Sequence, residues 1–521
     1  MRRHIGRHLL PALLLIPIAS LPAGCAPTPR PETSAPAPAL PPLADRVRTL
    51  LADPALEGTR WGLVVATPEG EELLAIAPDE RFLPASNTKL FTTAAAFATL
   101  AGLEAADPAG GTAVRLERRP GRRTPDIALV GSGDGTLADR PDCIIDCLSM
   151  LADAVLRSGV KAVHDVIGDD RLYPDERWGP GWSWNNLQTR SGTAVSALTI
   201  NDNVVALRVL PARAAGEPPE TRWDQGDEDY FTLRNDAATI AQGEIDLRTE
   251  RLPGSRILRL YGSIPLGAEP ETIMLGVEDP AQFAAMRFRR LLEARGIRVT
   301  GATTARHRML ALADDPKSRI AAPPPFPAPL PAPLPEPAGP ALARLEMPPL
   351  AEDLRLINKV SQNLHAELML RRLARTRGGS GSTEEGLAVV RAMLATADIP
   401  GSAFDFSDES GMSTYNRVTP RMVARFLRWT MGQPWGAAWR ATFPVGGVDG
   451  TLTRRFAGTP LAGRLFAKTG TLNGTNALSG FLTAASGRTL IFSIYANDIP
   501  SKAESATAAM DAALQLIADQ N

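Results

Sequence analysis

Pro84-Ala85-Ser86-Asn87-Thr88-Lys89-Leu90 puts a serine three residues before a lysine, at the start of an apolar helical run. Leu90, Ala94, Phe97 and Ala101 recur at helical spacing, and Gly102 supplies a stop. Positions i and i+3 share a helix face, so Ser86 and Lys89 sit one turn apart with side chains able to meet. A serine hydroxyl is a poor nucleophile until a neighbouring base removes its proton. A neutral lysine amine is such a base when burial or a nearby cation lowers its pKa. The pair alone is not specific. Ser158-Gly159-Val160-Lys161 repeats it, and there it reads as a helix end followed by a strand.

Two downstream stretches add to the first copy. Ser361-Gln362-Asn363 falls in the break between two helical runs, where a loop can present a hydroxyl and an amide to a ligand. Ser183-Trp184-Asn185 has the same bare pattern, so this triplet too is weak by itself. Lys468-Thr469-Gly470-Thr471 lies on the first strand of a closing meander. On an edge strand Lys468 and Thr469 can bind an anion, and Gly470 admits a close backbone approach. Lysine is rare here: six are present, and two of them, Lys89 and Lys468, fall in these motifs. Arginine supplies the other basic residues and cannot act as a base at neutral pH.

The 521 residues predict two or three domains, and 44% hydrophobic with 22% charged residues is a globular balance. A net charge of −1 gives no reason to expect nucleic acid or an acidic surface as partner. Arg2, Arg3 and Arg7 precede the apolar run 9–18 and small residues at 19–24, so residues 1–25 read as an export signal. Pro22-Ala23-Gly24-Cys25 offers Cys25 as a lipidation site, with ordinary cleavage near Ala23 as the alternative. Export implies an oxidising compartment, in which Cys143 and Cys147 either pair across a helical turn or stay as buried thiols. His4 and His8 leave with the signal, His164, His307 and His365 have no ligand-pair spacing, and no metal or cofactor is expected. His365, one turn past Ser361, reads as a helix-surface residue rather than a base. Trp178, Trp182 and Trp184 share a Gly-Pro loop, where local packing is preferred over glycan stacking.

Residues 26–42 form a Pro/Ala-rich tether. A helix at 43–53 and strands 61–66 and 72–77 lead to the Ser86 helix, giving a first catalytic segment at 43–104. Residues 105–320 carry short alternating runs between Gly, Pro and Asp and read as a mostly β insertion of one or two small domains. Ile127–Val130 runs into Gly131-Ser132-Gly133-Asp134-Gly135, a tight turn without the ending of a phosphate loop, and Val163–Ile167 runs into Gly168-Asp169-Asp170. A proline-rich loop occupies 321–344. From 345 to 521 come helices at 350–360, 364–376 (stopped by Gly378-Gly379), 383–397 and 420–431. An antiparallel meander at 464–496 and a helix at 503–518 follow.

Ser-x-x-Lys, Ser-x-Asn and Lys-Thr-Gly, in that order, resemble the signature set of the penicillin-binding proteins and serine β-lactamases. The long interval from Lys89 to Ser361 resembles the class C low-molecular-mass penicillin-binding proteins, D-alanyl-D-alanine carboxypeptidases and endopeptidases with a large insertion. So do Gly131–Leu137, Gly168-Asp169-Asp170, Ser196-Ala197-Leu198 with Asn201 and Asn203, Ala366-Glu367, and Ser410-Gly411 with Ser413. The similarity spans roughly 45 to 515. Two departures are Gln362, where the family usually has Asp, and Glu409, where it often has Gly. Gln362 is expected to point away from substrate.

The resemblance implies an α+β fold, an antiparallel sheet flanked by helices. It implies Ser86 as acylated nucleophile and Lys89 as its base, with a pKa lowered by desolvation and by Lys468. Ser361 would relay a proton to the leaving amine, Asn363 would fix the substrate amide, and Lys468 and Thr469 would grip the terminal carboxylate. The backbone N–H groups of Ser86 and Thr471 would form the oxyanion hole, with Gly470 between. The substrate implied is a peptidoglycan stem peptide ending in D-Ala-D-Ala, outside the cytoplasmic membrane, with β-lactams as covalent inhibitors. A β-lactamase and a non-catalytic wall-binding lipoprotein are the competing readings; the insertion counts against the first and the three intact motifs against the second.

Overall fold

The computed structural model describes residues 41–108, 110–311, 340–376, 379–501 and 506–521. The export signal with Cys25, the tether up to residue 40, the proline-rich stretch 312–339 and Gly378 lie outside them. Leu43–Asn521 form one unit.

Helix α1 (Leu43–Leu51) precedes strands β1 (Arg60–Ala66) and β2 (Glu72–Ile76). A single 3-10 turn, Ala85–Thr88, carries Ser86 and runs into helix α2 (Lys89–Thr99). After the insertion come α3 (Leu350–Lys359), α4 (Asn363–Thr376), α5 (Thr383–Thr396) and α6 (Pro420–Met431). Local chemistry fixes their starts. Ser382 and Glu385 cap α5 reciprocally, and the Thr419 hydroxyl accepts from the Met422 N–H ahead of Pro420 at the start of α6. Strands β3 (Leu465–Leu472), β4 (Thr475–Thr483) and β5 (Thr489–Asn497) and helix α7 (Thr507–Gln520) complete the unit.

The five strands form one antiparallel sheet in the order β3-β4-β5-β1-β2. Alternation along each strand feeds two cores. Val64 joins Leu90, Phe91, Leu370, Met393 and Phe426 on the side of α2 and α4–α6. Leu63 and Val65 join Val47, Leu51, Leu514 and Ile517 on the side of α1 and α7. Burial of each such side chain stabilises by about 1.5–3 kcal/mol before entropy is counted. The architecture is α+β, with β3, the Lys468 strand, at the sheet edge.

The insertion has a separate core of its own, from Val114 and Ile127 to Leu292 and Ile297. It contains a five-stranded sheet ordered Thr303–Arg308, Val166–Pro174, Asp126–Val130, Ala113–Glu117, Ala343–Arg344, and two three-stranded sheets. It also contains helix Leu148–Arg157, which ends at Ser158 as read from the sequence, and helix Pro280–Ala294, which the β-like texture did not signal. The second buries Phe283, Phe288 and Leu292 at helical spacing, and buried Arg287 pairs with Asp139 and Asp227.

Three further differences from the sequence reading have physical causes. The strand Val166–Pro174 runs straight through Gly168-Asp169-Asp170, because both buried carboxylates find partners: Arg171 for Asp169, Ser196 and His307 for Asp170. Cys143 and Cys147 form a disulfide, but across a loop before Leu148–Arg157 rather than a helical turn. His365 is buried, not on the helix surface; its Nδ1 contacts Asp353 of α3 and its Nε2 lies 2.9 Å from Asp202 of the insertion. Of the two repeated motifs, Ser158 closes a helix by donating to Val155 O at 2.6 Å, and Ser183 bonds Asn185 at the surface. Trp178 donates locally to Gly192 O, whereas Trp182 donates to the distant Asp408 carboxylate, and Trp184 stays half exposed.

Candidate active site

Ser86 sits at the mouth of the 3-10 turn with Lys89 one turn below. Lys89 Nζ lies 2.9 Å from Ser86 Oγ and 2.6 Å from Asn363 Oδ1, and it also donates to the Ser410 carbonyl. Asn363, the first residue of α4, turns its Nδ2 to Ser191 O of the insertion at 2.8 Å. Ser361 adopts φ +65°, a left-handed conformation that non-glycine residues occupy at a cost of about 1–3 kcal/mol. That bend turns its hydroxyl to Lys468 Nζ at 2.8 Å. Lys468 also donates to Thr469 O, and Asn87 Nδ2 donates to Lys468 O at 2.9 Å, stitching the nucleophile turn to β3. Three segments far apart in sequence thus meet as two lysine–serine pairs.

Both lysines are fully buried. Burial alone drags Lys89 down to about 7, against the opposing pull of the Asp408, Glu367 and Glu409 carboxylates. Lys468 falls well below its ordinary value, first through burial and then through repulsion by Lys89. The expected lowering of Lys89 by Lys468 is not seen: Lys89 is lowered by burial alone, and it is Lys89 that helps to lower Lys468.

A second layer holds the Ser410 carbonyl in place. Glu367 Oε1 accepts from the N–H groups of Glu409 and Ser410, at 3.1 and 2.8 Å, while Oε2 pairs with buried Arg371. Asp408 accepts from the N–H groups of Gly411 and Ser413, from Asn416 and from Trp182. Gly411 must be glycine: φ is +82°, and a Cβ there would lie 2.0 Å from Ala85 O. Gly470 permits the turn to touch β3, since a Cβ there would lie 2.6 Å from Pro84 O.

Ser86, Ser361, Asn363, Thr469 and Thr471 line a cleft of about 790 Å³. Its walls include residues the sequence did not single out. Asn186, Thr189, Arg190 and Ser191 come from the insertion, Met412 from the Ser410 loop, and Thr451 and Arg455 from the turn before β3. These residues lie in irregular segments with no motif. Gln362 belongs to this lining and to that of a small neighbouring cavity. Cys143 and Cys147 lie in the insertion and take no part in the cleft lining. Among the described residues no cluster of His, Cys, Asp or Glu suits a metal ion, and no helix is long and apolar enough to cross a membrane.

This arrangement suits acyl transfer through a serine. The model of the D-Ala-D-Ala carboxypeptidase 3 (S13) family matches residues 43–313 and 333–520. A D-alanyl-D-alanine carboxypeptidase from Actinomadura sp. (strain R39) is 34% identical over 471 residues, 87% of this chain and 81% of that one. Penicillin-sensitive carboxypeptidase A of Dictyostelium discoideum is 24% identical over 479 residues, 85% of this chain and 84% of that one. The crystal structure of penicillin binding protein 4 (dacB) from Haemophilus influenzae superposes with a TM-score of 0.72 at 21% identity, covering 90% of this chain and 98% of that one, which establishes the shared fold. With a nucleophile turn, two buried lysines and matches over nearly all of residues 43–520, the chain belongs to the D-Ala-D-Ala carboxypeptidase 3 (S13) family.

Proposed function

We propose that Ser86 carries the acyl group when this enzyme, a serine-type D-Ala-D-Ala carboxypeptidase by family, hydrolyses peptidoglycan stem peptides. The observation that carries the assignment is the 2.9 Å contact between Ser86 Oγ and the buried amine of Lys89. A lysine with a pKa of about 7 is half neutral at neutral pH and takes the hydroxyl proton. Ser86 Oγ attacks the carbonyl carbon of the penultimate D-alanine, and the carbonyl oxygen becomes an oxyanion. The N–H groups of Ser86 and Thr471 stabilise that charge as it develops. Ser361, in contact with Lys468, relays the proton that Lys89 took up to the leaving nitrogen and ends with its own hydroxyl intact; the C–N bond breaks and D-alanine departs. Water then attacks the acyl-serine by the same route in reverse. Asn363 aligns Lys89 and the substrate amide, and Thr469 and Thr471 form the wall that receives the terminal carboxylate, with Lys468 buried behind it and Gly470 bringing β3 close to the nucleophile turn.

β-Lactams present an amide and a carboxylate to the same groups and acylate Ser86. Residues 43–104 and 345–521 form the catalytic domain in this reading, with 105–320 as the insertion; their separate hydrophobic cores support the division. Residues 1–25 direct export, and lipidation of Cys25 with the 26–42 tether holds the enzyme at the cell envelope. Labelling with a fatty-acid analogue, present in wild type and lost in Cys25→Ala, tests that part.

The test of the nucleophile is intact-protein mass after benzylpenicillin. One penicilloyl group on wild type and none on Ser86→Ala is the expected result. Turnover of penicillin without an adduct would favour a β-lactamase instead.

A further inference from the structure

The wall beside Thr469 holds a fixed cation that none of the three motifs contains. Arg455 lines the cleft together with Thr451, Thr469 and Thr471. Its guanidinium is gripped by Asp511 of α7, with Nε 3.2 and 3.1 Å from the two carboxylate oxygens and Nη2 2.5 Å from Oδ1. The side chain is only 18% exposed. Its Nη1 has no hydrogen-bond partner among the described residues. Beside it, Thr451 Oγ1 and Thr469 Oγ1 lie 2.7 Å apart, so two hydroxyls already point to one place. Thr507, the first residue of α7, closes the same end of the cleft, adding the positive end of a 14-residue helix.

A carboxylate leaving water for a partly buried cleft needs a matching charge. Lys468 is a poor source. Its amine is engaged with Ser361 and the Thr469 carbonyl, and burial favours its neutral form. Arg190, the other arginine of the cleft, is exposed and comes from the opposite, insertion side. Arginine keeps its charge under these conditions, and a carboxylate partner behind it fixes the planar fork without using all of its donors.

We propose that Arg455, oriented by Asp511 and set beside Thr451 and Thr469, recognises the α-carboxylate of the residue that leaves. This rests on the reading above that the Thr469 wall receives that carboxylate. Arg455 is then a specificity-determining residue, and Asp511 is a positioning residue acting through it.

The experiment compares kcat/KM for a peptide ending in D-Ala-D-Ala with its C-terminal amide, in wild type, Arg455→Gln, Arg455→Lys and Asp511→Asn. Taking the acid-to-amide ratio within each variant cancels any loss of folded enzyme, and benzylpenicillin titration counts active sites. The ratio should fall roughly ten- to a hundred-fold in Arg455→Gln, the range for a lost charge-assisted hydrogen bond, mainly through KM. Arg455→Lys should recover part of it, and Asp511→Asn should fall between. A ratio in Arg455→Gln equal to that of wild type overturns the proposal. A wild type that takes up benzylpenicillin at Ser86 yet shows no preference for the acid overturns it too and leaves the acyl-serine reading standing; a wild type that is neither acylated nor active overturns both.

Discussion

Thr92 Oγ1 lies 2.6 Å from Glu409 Oε2 inside the protein, one helical turn beyond Lys89. Glu409 has no exposed surface, and its Oε1 has no partner among the described residues. Burial raises its pKa well above the ordinary carboxylate value, against the lowering pull of the Thr92 hydrogen bond. Any ionised fraction favours protonated Lys89. Glu409→Gln keeps the shape and removes that charge. The acid limb of Ser86 acylation should therefore move to lower pH, as read from benzylpenicillin acylation rates; movement to higher pH would contradict the argument.

The pH profile of the wild type follows from Lys89. Its neutral form is the base, and it accumulates as pH rises through about 7. Acylation should rise with pH across that value and then level. Lys89→Arg cannot titrate there and should lose about 10²–10⁴-fold in acylation rate. A stopped-flow series from pH 5 to pH 9 checks both.

Gly470→Ala tests the contact between strand and nucleophile turn. The new methyl would meet Pro84 O at 2.6 Å and Asn87 N at 3.2 Å, both backbone atoms. The turn must shift, and a displacement near 1 Å at a reacting atom costs about 10²-fold. The expected result is slow penicillin uptake by a protein that still unfolds cooperatively.

His365 joins α4 to α3 and to the insertion through Asp353 and Asp202. The two carboxylates outweigh burial and raise its pKa to about 10, from 6.5. A raised folded-state value means that the stabilisation is fully present below about pH 6.5 and disappears as pH rises through about 10. His365→Gln should cost about 3 kcal/mol at pH 6, the scale for breaking a buried pair. In urea unfolding the gap between variant and wild type should narrow steadily toward pH 10.

Much of the catalytic domain is written locally. The closing strands can be read because alternate side chains feed the two cores, and α6 because Met422, Val423, Phe426, Leu427 and Thr430 share its buried face, whereas α2 and α4 are buried nearly all round. The helix Pro280–Ala294 was harder. Its apolar residues are interrupted by Arg287, Arg289 and Arg290, and Arg287 is tolerated inside only because Asp139 and Asp227 come from distant segments. His365 misled for the same reason: a histidine can be buried when two carboxylates from elsewhere meet it. Thr451 and Arg455 carried no signal, since a turn residue gains meaning only from the cleft it borders.

The sequence by itself determined the chemical inventory: a serine and lysine one turn apart, a second serine at a helix break, a second lysine on an edge strand, and their order. Those follow from residue type and short-range geometry, which a few neighbouring residues fix. Tertiary structure alone decided that Lys468 meets Ser361 across 107 residues, and that both lysines lose their water. It also decided that Glu367 and Asp408 hold the Ser410 carbonyl against Lys89. Desolvation is the reason. The pKa of an amine depends on everything packed around it, and that surrounding exists only once the sheet, the helices and the insertion have closed on the cleft.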